Sequence, residues 1–363
     1  MSTRLEVKNL RVRIDTPQGA VQAIDEISLR IEEGETVALV GESGAGKSVT
    51  AKVLMGLLPR PPAVIETGQV LLDGTDLLTL TERQMRAHRG KDIAIVFQDP
   101  MSALNPFMTV GAQLAEVLVR HGVARRRDRR ARCATALGEV GIPAPEEHLT
   151  RYPHELSGGM RQRVLIAMAV LCDPRVLIVD EPTTALDVTT QAQILDLLQR
   201  LQRDRGTSIL LVTHDLGVVA VLAHQVAVMY AGRLLEVGTA RELFGHPHHP
   251  YTFGLLRSAP SHAAPSSEPL PTLAGSPPDL HAVPPGCAFH PRCPFAIERC
   301  GRERPTLAPV VPVEARARRA ARMFQVGGRQ AACFETERVA ALTGLWTTAI
   351  DWVSEAEARE SRS

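Results

Sequence analysis

No apolar run in these 363 residues approaches the ~18 to 20 needed to span a bilayer, so any membrane role has to come through partners. The opening MSTRLEVKNL has no apolar signal core, and export is not expected. Neither sign of charge is in excess. Lysine and arginine total 41 against 40 for aspartate and glutamate, a formal net charge of +1, which leaves no global basic field to drive binding to nucleic acid. Six cysteines at this length do not make a secreted disulfide scaffold, and no internal repeat is visible. The expectation is a chain of roughly two domains, each able to bury a core, in a cytoplasmic and reducing setting.

What is present centres on Gly41 to Ser48, GESGAGKS, which fits G-x-x-x-x-G-K-[ST] at every fixed position. Thr36-Val37-Ala38-Leu39-Val40 before it is an apolar run of strand length. Val49 to Leu58 after it, apolar at Val49, Val53, Leu54, Leu57 and Leu58 and closed by Pro59, reads as a helix. Strand, glycine loop, helix is the context the pattern requires. Gly41, Gly44 and Gly46 let the backbone aim its N–H groups at an anion, and the helix N-terminus adds its dipole. Lys47 can reach the outer phosphates, and the Ser48 hydroxyl can ligate Mg²⁺. The candidate cradle is therefore Gly41, Glu42, Ser43, Gly44, Ala45, Gly46, Lys47 and Ser48, with Val49 beyond it, and its expected ligand is a nucleoside triphosphate.

Along the chain, Leu5-Glu6-Val7, Val12-Arg13-Ile14 and Ile27 to Ile31 alternate as half-exposed strands. Gln69 to Leu72 and Ile93 to Phe97 read as further strands, the second ending at Gln98. Residues from about Val110 to Met168 read mainly as helix, and the basic run Arg125 to Arg130 fits a solvated helix face. Cys133 and Cys172 fall in helical stretches and fit buried apolar positions. Val176 to Val179 and Ile209 to Val212 are near-continuous apolar runs, as in a parallel sheet covered on both faces, with Gln191 to Gln202 as the crossover helix. The expected divisions are a core at 1–258, a Pro-, Ser- and Ala-rich linker at 259–285, a cysteine-bearing module at 286–340 and a tail at 341–363. The module includes a basic helix candidate, Glu314 to Met323. In the tail, Trp346, Ile350 and Val353 form a short apolar stripe that reads as a docking helix.

The run Val176 to Glu181, VLIVDE, is a strand ending in two carboxylates. Asp180 is placed to hold Mg²⁺, directly or through water, and Glu181 to polarise an attacking water. A second glycine loop, LSGGMRQR from Leu156 to Arg163, opens a helix whose free N–H groups form another anion site. His214 follows the strand Ile209 to Val212, near the level expected for a γ-phosphate. With these residues in this order, the sequence resembles the ATP-binding subunits of ABC transporters over about residues 3 to 258. LSGGMRQR followed by VLIVDE is the specific part, because phosphate loops are shared by many nucleoside triphosphatases.

The resemblance implies an α/β P-loop core with a mixed sheet, an antiparallel β part and a helical subdomain at about 100–170, acting as an ATPase. It makes Gln98 the Q-loop glutamine, which contacts Mg²⁺ or water and senses a permease. It makes Ala185-Leu186-Asp187 the D-loop and His214 the switch histidine, with Glu181 and His214 catalytic. Mg²⁺ would be held by Ser48, Gln98 and Asp180. It also implies two such domains paired head to tail, so that Ser157, Gly158 and Gly159 of one cap the ATP on the Gly41–Ser48 loop of the other. Gln162 and Asp187 join the nucleotide set on the same grounds. Many family members stack adenine on an aromatic upstream of the second strand; Pro17 to Ala23 has none, and Val21 stands there as an apolar contact.

Three stretches resemble the peptide and nickel importer branch: FQDPMSALNPFMTVGAQ from Phe97, DEPTTALDVTTQAQILDLL from Asp180 and HPHHPYTFGLLRSAP from His246. The prolines interleaved with His246, His248 and His249 fit a turn into a helix better than a metal cluster. Cys287, Cys293, Cys300 and Cys333 are separated by five, six and thirty-two residues, with Gly286, Pro291 and Pro294 keeping the intervals in loops. Four thiolates suit Zn²⁺ or an iron–sulfur cluster, although the intervals exceed those of paired zinc knuckles. Unliganded or disulfide-bonded cysteines fit the same spacing. PGCAFHPRCPFAIERC with the distant AAC resembles the C-terminal extension of peptide-importer ATPases, which implies a [4Fe–4S] cluster. The same resemblance implies a second, paralogous ATPase subunit, two transmembrane permease subunits and an extracytoplasmic substrate-binding protein. The chain would then sit peripherally on the cytoplasmic face of the membrane, without nucleic acid. Oligopeptide or dipeptide is the expected cargo, with nickel or another small solute as the second choice. A soluble ABC ATPase acting on nucleic acid or ribosomes is the rival class; such proteins usually carry two cassettes or long coiled-coil insertions, and this chain has neither.

Overall fold

The computed structural model describes residues 2–184, 186–258, 273–310 and 329–343. Ala185, much of the expected linker, the helix candidate Glu314 to Met323 and the stripe Trp346, Ile350 and Val353 lie outside the described residues. The strands are β1 (Thr3–Thr16), β2 (Gly19–Glu32), β3 (Thr36–Val40), β4 (Ala63–Leu72), β5 (Thr75–Asp76), β6 (Ile93–Val96), β7 (Val176–Asp180), β8 (Ser208–Thr213), β9 (Gln225–Tyr230), β10 (Arg233–Thr239), β11 (Ala308–Pro309) and β12 (Gln330–Ala331).

β3, β7 and β8 are buried at every residue, which is why their sequences are almost unbroken apolar runs. They lie in the order β9-β3-β8-β7-β6, all parallel, and β10 and β12 extend that sheet antiparallel. The second sheet, β2-β1-β4-β5, is antiparallel. β1 is a single strand where the sequence reads as two. The break in alternation is a register shift between Val7 and Leu10, where Asn9 takes a φ of 46°.

Two apolar clusters hold these layers together. Leu5, Ile24, Ile27 and Ile31 of the antiparallel sheet pack with Leu39, Leu54, Leu210 and Met229. On the other face of the large sheet, Leu114, Leu118, Leu137 and Ile166 from the helices Val110–His121, Arg129–Glu139 and Gly158–Val170 pack with Val179 and Leu211. Cys133 and Cys172 are buried, as their apolar surroundings predict. Arg127 of the basic run is exposed.

Three expectations shift. The helix after the glycine loop covers Lys47–Leu54 instead of Val49 to Leu58, because Gly56 takes a φ of 59° and turns the chain away. The crossover helix is longer than expected, Val188–Arg205, since Asp187 caps its start with a hydrogen bond from the Thr190 N–H. The segment expected as a cysteine-bearing module at 286–340 is tied to the core sheet. Its two short strands join the large sheet, β12 pairing with β10 through Glu236↔Ala331.

Candidate nucleotide site

The parallel register places the C-terminal ends of β3, β6, β7 and β8 at one edge of the sheet, where ligands of open α/β sheets bind. The glycine loop leaves β3 there. Gly46 takes a φ of 107°, and a Cβ on it would come within 2.6 Å of the Ala23 carbonyl oxygen, so no other residue fits. Lys47 is buried, and its Nζ donates to the carbonyls of Gly41 at 2.6 Å and Glu42 at 3.0 Å. Burial lowers its pKa below the ordinary lysine range, opposed by the carboxylates of Glu181, Asp180 and Glu42.

Three side chains, two of them far away in sequence, meet on the Glu181 carboxylate. Gln98 Nε2, just past β6, donates to Glu181 Oε2 at 2.8 Å, and the Thr184 hydroxyl donates to the same oxygen at 3.0 Å. His214 Nδ1, just past β8, lies 3.0 Å from Glu181 Oε1. Glu181 itself takes a φ of 48°, a left-handed conformation uncommon for glutamate, at the turn that leaves β7. Beside it, the Ser48 hydroxyl donates to Asp180 Oδ1 at 3.2 Å. Burial raises the pKa of Asp180, opposed by that hydrogen bond. Ser48, Asp180 and Gln98 together offer oxygen donors, the type that Mg²⁺ takes alongside water and phosphate.

The whole Gly41–Val49 run, Gln98, Glu181, Thr184 and His214 line a cleft of about 930 Å³; Asp180, hydrogen-bonded to Ser48, is not part of its wall. Val21 lines it too, paired across the strands with Ile14, which supplies a second apolar contact. Ser157, Gly158, Gly159, Gln162 and Asp187 do not line it. Ser157 instead caps the helix Gly158–Val170 by accepting from the Met160 N–H at 3.3 Å. Asp187 caps the adjoining helix, and a Cβ on Gly159 would fall 2.5 Å from Thr190 Cγ2. Gln162 is buried with its Nε2 unpartnered. Sequence reading missed Thr184, Ile14, Leu273, Leu280 and Arg292 in the cleft wall. Thr184 lies three residues after Glu181 and is legible from that position; the last three fall in stretches read as linker or cysteine module.

Residues 24–184 match the family model for the ABC transporter, and residues 235–300 match that for the oligopeptide/dipeptide transporter, C-terminal region. The dipeptide transport ATP-binding protein DppD of Bacillus subtilis (strain 168) is 51% identical over 305 residues, 84% of this chain and 91% of that protein. The chain belongs to the ATP-binding proteins of ABC peptide transporters. This ABC ATPase is also 48% identical over 300 residues to the oligopeptide transport ATP-binding protein OppD of Haemophilus influenzae, covering 83% and 92% of the two chains. Its fold matches a dimeric, post-hydrolysis state of the ATP-binding cassette MJ0796 bound to ADP and Pi, with a TM-score of 0.58 and 27% identity over 65% of this chain and 98% of that one. It also matches cbiO1 from Clostridium perfringens, part of the ABC transporter complex cbiONQ, with a TM-score of 0.57 and 30% identity over 67% and 91% of the chains. As a member of that family the chain is an ATPase, and the bond it breaks is the terminal phosphoanhydride of ATP.

The C-terminal cysteines lie elsewhere. Cys287, Cys293, Cys300 and Cys333 all line one small pocket with Phe289, Phe295 and Phe334, and all are free thiols. The expected zinc or iron–sulfur site is not supported by the geometry: among the described residues no group of three or more His, Cys, Asp or Glu side chains is arranged to hold a metal ion. Burial raises the thiol pKa of Cys287, of Cys293 to about 11 and of Cys333 to about 12. His249 lines the same pocket. It is buried, its Nδ1 accepts the Tyr251 N–H at 3.0 Å, and its Nε2 has no partner. The HPHHP run is a turn, as its prolines predict. The backbone N–H groups of His248 and His249 donate to the two carboxylate oxygens of buried Glu236, at 2.8 and 3.0 Å, and the helix Pro250–Ser258 follows.

Proposed function

We propose that this chain is the ATP-hydrolysing subunit of an importer for oligopeptides or dipeptides, working with two permease subunits, an extracytoplasmic binding protein and a second ATPase chain. The cargo reading rests on the peptide-transport relatives and on the match over residues 235–300. Among the described residues no helix is long and apolar enough to cross a membrane, and peripheral attachment to permease subunits on the cytoplasmic face is the placement proposed.

The observation that carries the mechanism is the separation of Ser157–Gly159 from the cleft of their own chain. One chain supplies the cradle, the carboxylates and the histidine, but not the second anion site. A partner's serine–glycine–glycine turn closes the cleft, and the phosphates bridge the two chains. Within the cradle, Lys47 exchanges the carbonyls of Gly41 and Glu42 for phosphate oxygens. Mg²⁺, held by Ser48, Asp180 and Gln98, would neutralise charge on the outer phosphates. Glu181 orients the attacking water and takes its proton, while Gln98, Thr184 and His214 hold the carboxylate in place.

We propose a [4Fe–4S] cluster as the ligand of the four pocket cysteines. What supports this is the donor set: four thiols from separate segments line one pocket, and the Nε2 of buried His249 has no partner there. Such a cluster would act as a structural clasp or an electron carrier.

The deciding experiment is reconstitution of this chain with its permease pair, binding protein and partner ATPase in proteoliposomes. Labelled di- and oligopeptides accumulate only with ATP, and Lys47→Ala abolishes both accumulation and hydrolysis. A complex that hydrolyses ATP and moves no peptide refutes the cargo assignment.

A further inference from the structure

Arg292 lies one residue before Cys293, yet its guanidinium reaches the nucleotide cleft. It grips the Glu42 carboxylate of the phosphate loop with both terminal nitrogens, at 2.7 and 3.0 Å. Its Nε donates to the Ala274 carbonyl at 2.8 Å, and one terminal nitrogen also donates to the Tyr230 hydroxyl at 3.2 Å. The guanidinium sits over the rings of Tyr230 and Phe289, 5.8 Å from each centroid. The side chain is only 6% exposed. A second tether starts nearby: the Glu42 N–H donates to the hydroxyl of buried Tyr251 at 2.8 Å. The Arg–Glu pairing is bidentate, the arginine is shielded from water while Glu42 stays partly exposed in the cleft, and the other contacts fix the arginine's orientation. That is the geometry in which an ion pair imposes position and is not merely a surface contact.

We infer that Arg292 is a positioning residue of the ATP site, setting the phosphate loop through Glu42, and that the segment from Leu273 to Cys293 is thereby a working part of that site. The same segment places Leu273 and Leu280 in the cleft wall. The inference rests on the assignment of the Gly41–Ser48 loop to nucleotide. The loop backbone that must cradle phosphate is held from outside by a residue attached to the cysteine pocket. Without that hold the loop must be ordered at the expense of binding, while Gln98, Glu181 and His214 are untouched. The loss therefore falls on ATP affinity and not on turnover.

The test measures equilibrium binding of a fluorescent ATP analogue to the full chain, and KM and kcat of the assembled transporter, for wild type, Arg292→Gln, Arg292→Lys and Lys47→Ala. Loss of the two charged hydrogen bonds in Arg292→Gln raises Kd and KM about tenfold and leaves kcat within about threefold of wild type. Arg292→Lys, which keeps charge but loses the fork, falls between the two. Wild-type Kd in Arg292→Gln, with binding abolished in Lys47→Ala, overturns the inference. Wild-type binding in Lys47→Ala overturns the nucleotide assignment beneath it. If Arg292→Gln does not fold, the lysine variant decides alone: an unchanged Kd refutes the positioning role.

Discussion

Glu181→Gln is the perturbation that isolates chemistry from binding. The carboxylate accepts from Gln98 and Thr184 on one oxygen and faces His214 Nδ1 on the other. A glutamine amide keeps its carbonyl toward Gln98 and Thr184 and turns its NH₂ toward the histidine, whose Nδ1 then accepts. The φ of 48° is as tolerable for glutamine as for glutamate, so the strain does not change. The cost to stability is at most about 1 kcal/mol, one hydrogen bond exchanged for another. The cost to catalysis is larger, because an amide cannot take a proton from water. Removing a general base lowers turnover by roughly 10² to 10⁴-fold, about 2.7 to 5.5 kcal/mol on the barrier. ATP binding is retained or tightened, since a negative charge facing the phosphates is gone. Phosphate release from the assembled transporter gives the first quantity, and binding of a fluorescent ATP analogue gives the second. A variant that melts and binds as wild type yet turns over within about threefold of it removes Glu181 from the catalytic role.

Two further outcomes follow from other parts of the molecule. Burial, with Arg329 nearby, lowers the pKa of His248 to about 4, so the folded protein keeps this ring neutral while the unfolded chain protonates near 6.5. Its contribution is complete above pH 6.5 and is lost as the pH falls toward 4, the loss reaching ~2 kcal/mol at pH 5; the stability of His248→Gln, measured by denaturant titration, should fall less steeply over that window, and parallel curves would refute the assignment. Anaerobically purified wild type should be brown, with about four irons per chain, and Cys293→Ser should lose colour and iron together; colourless, iron-free wild type defeats the cluster.

Local pattern alone decided a good deal. GESGAGKS specifies a phosphate cradle because its glycines and lysine act through their own backbone and reach, within eight consecutive residues. The apolar runs of β7 and β8 specify buried parallel strands because both their faces are covered. The prolines of HPHHP specify a turn. None of these depends on distant partners.

Tertiary structure alone decided which of these pieces meet. Gln98, Glu181 and His214 converge because parallel strands end at one edge of the sheet, a register that no local pattern encodes. The same holds for Arg292 and Glu42, 250 residues apart, and for β12, which closes onto β10 where the chain read as an independent module. Short-range sequence reports the periodicity and turn chemistry of single elements. Contacts between elements depend on how their buried faces pack, and that packing carried Arg292 of the cysteine-bearing module into the wall of the nucleotide cleft.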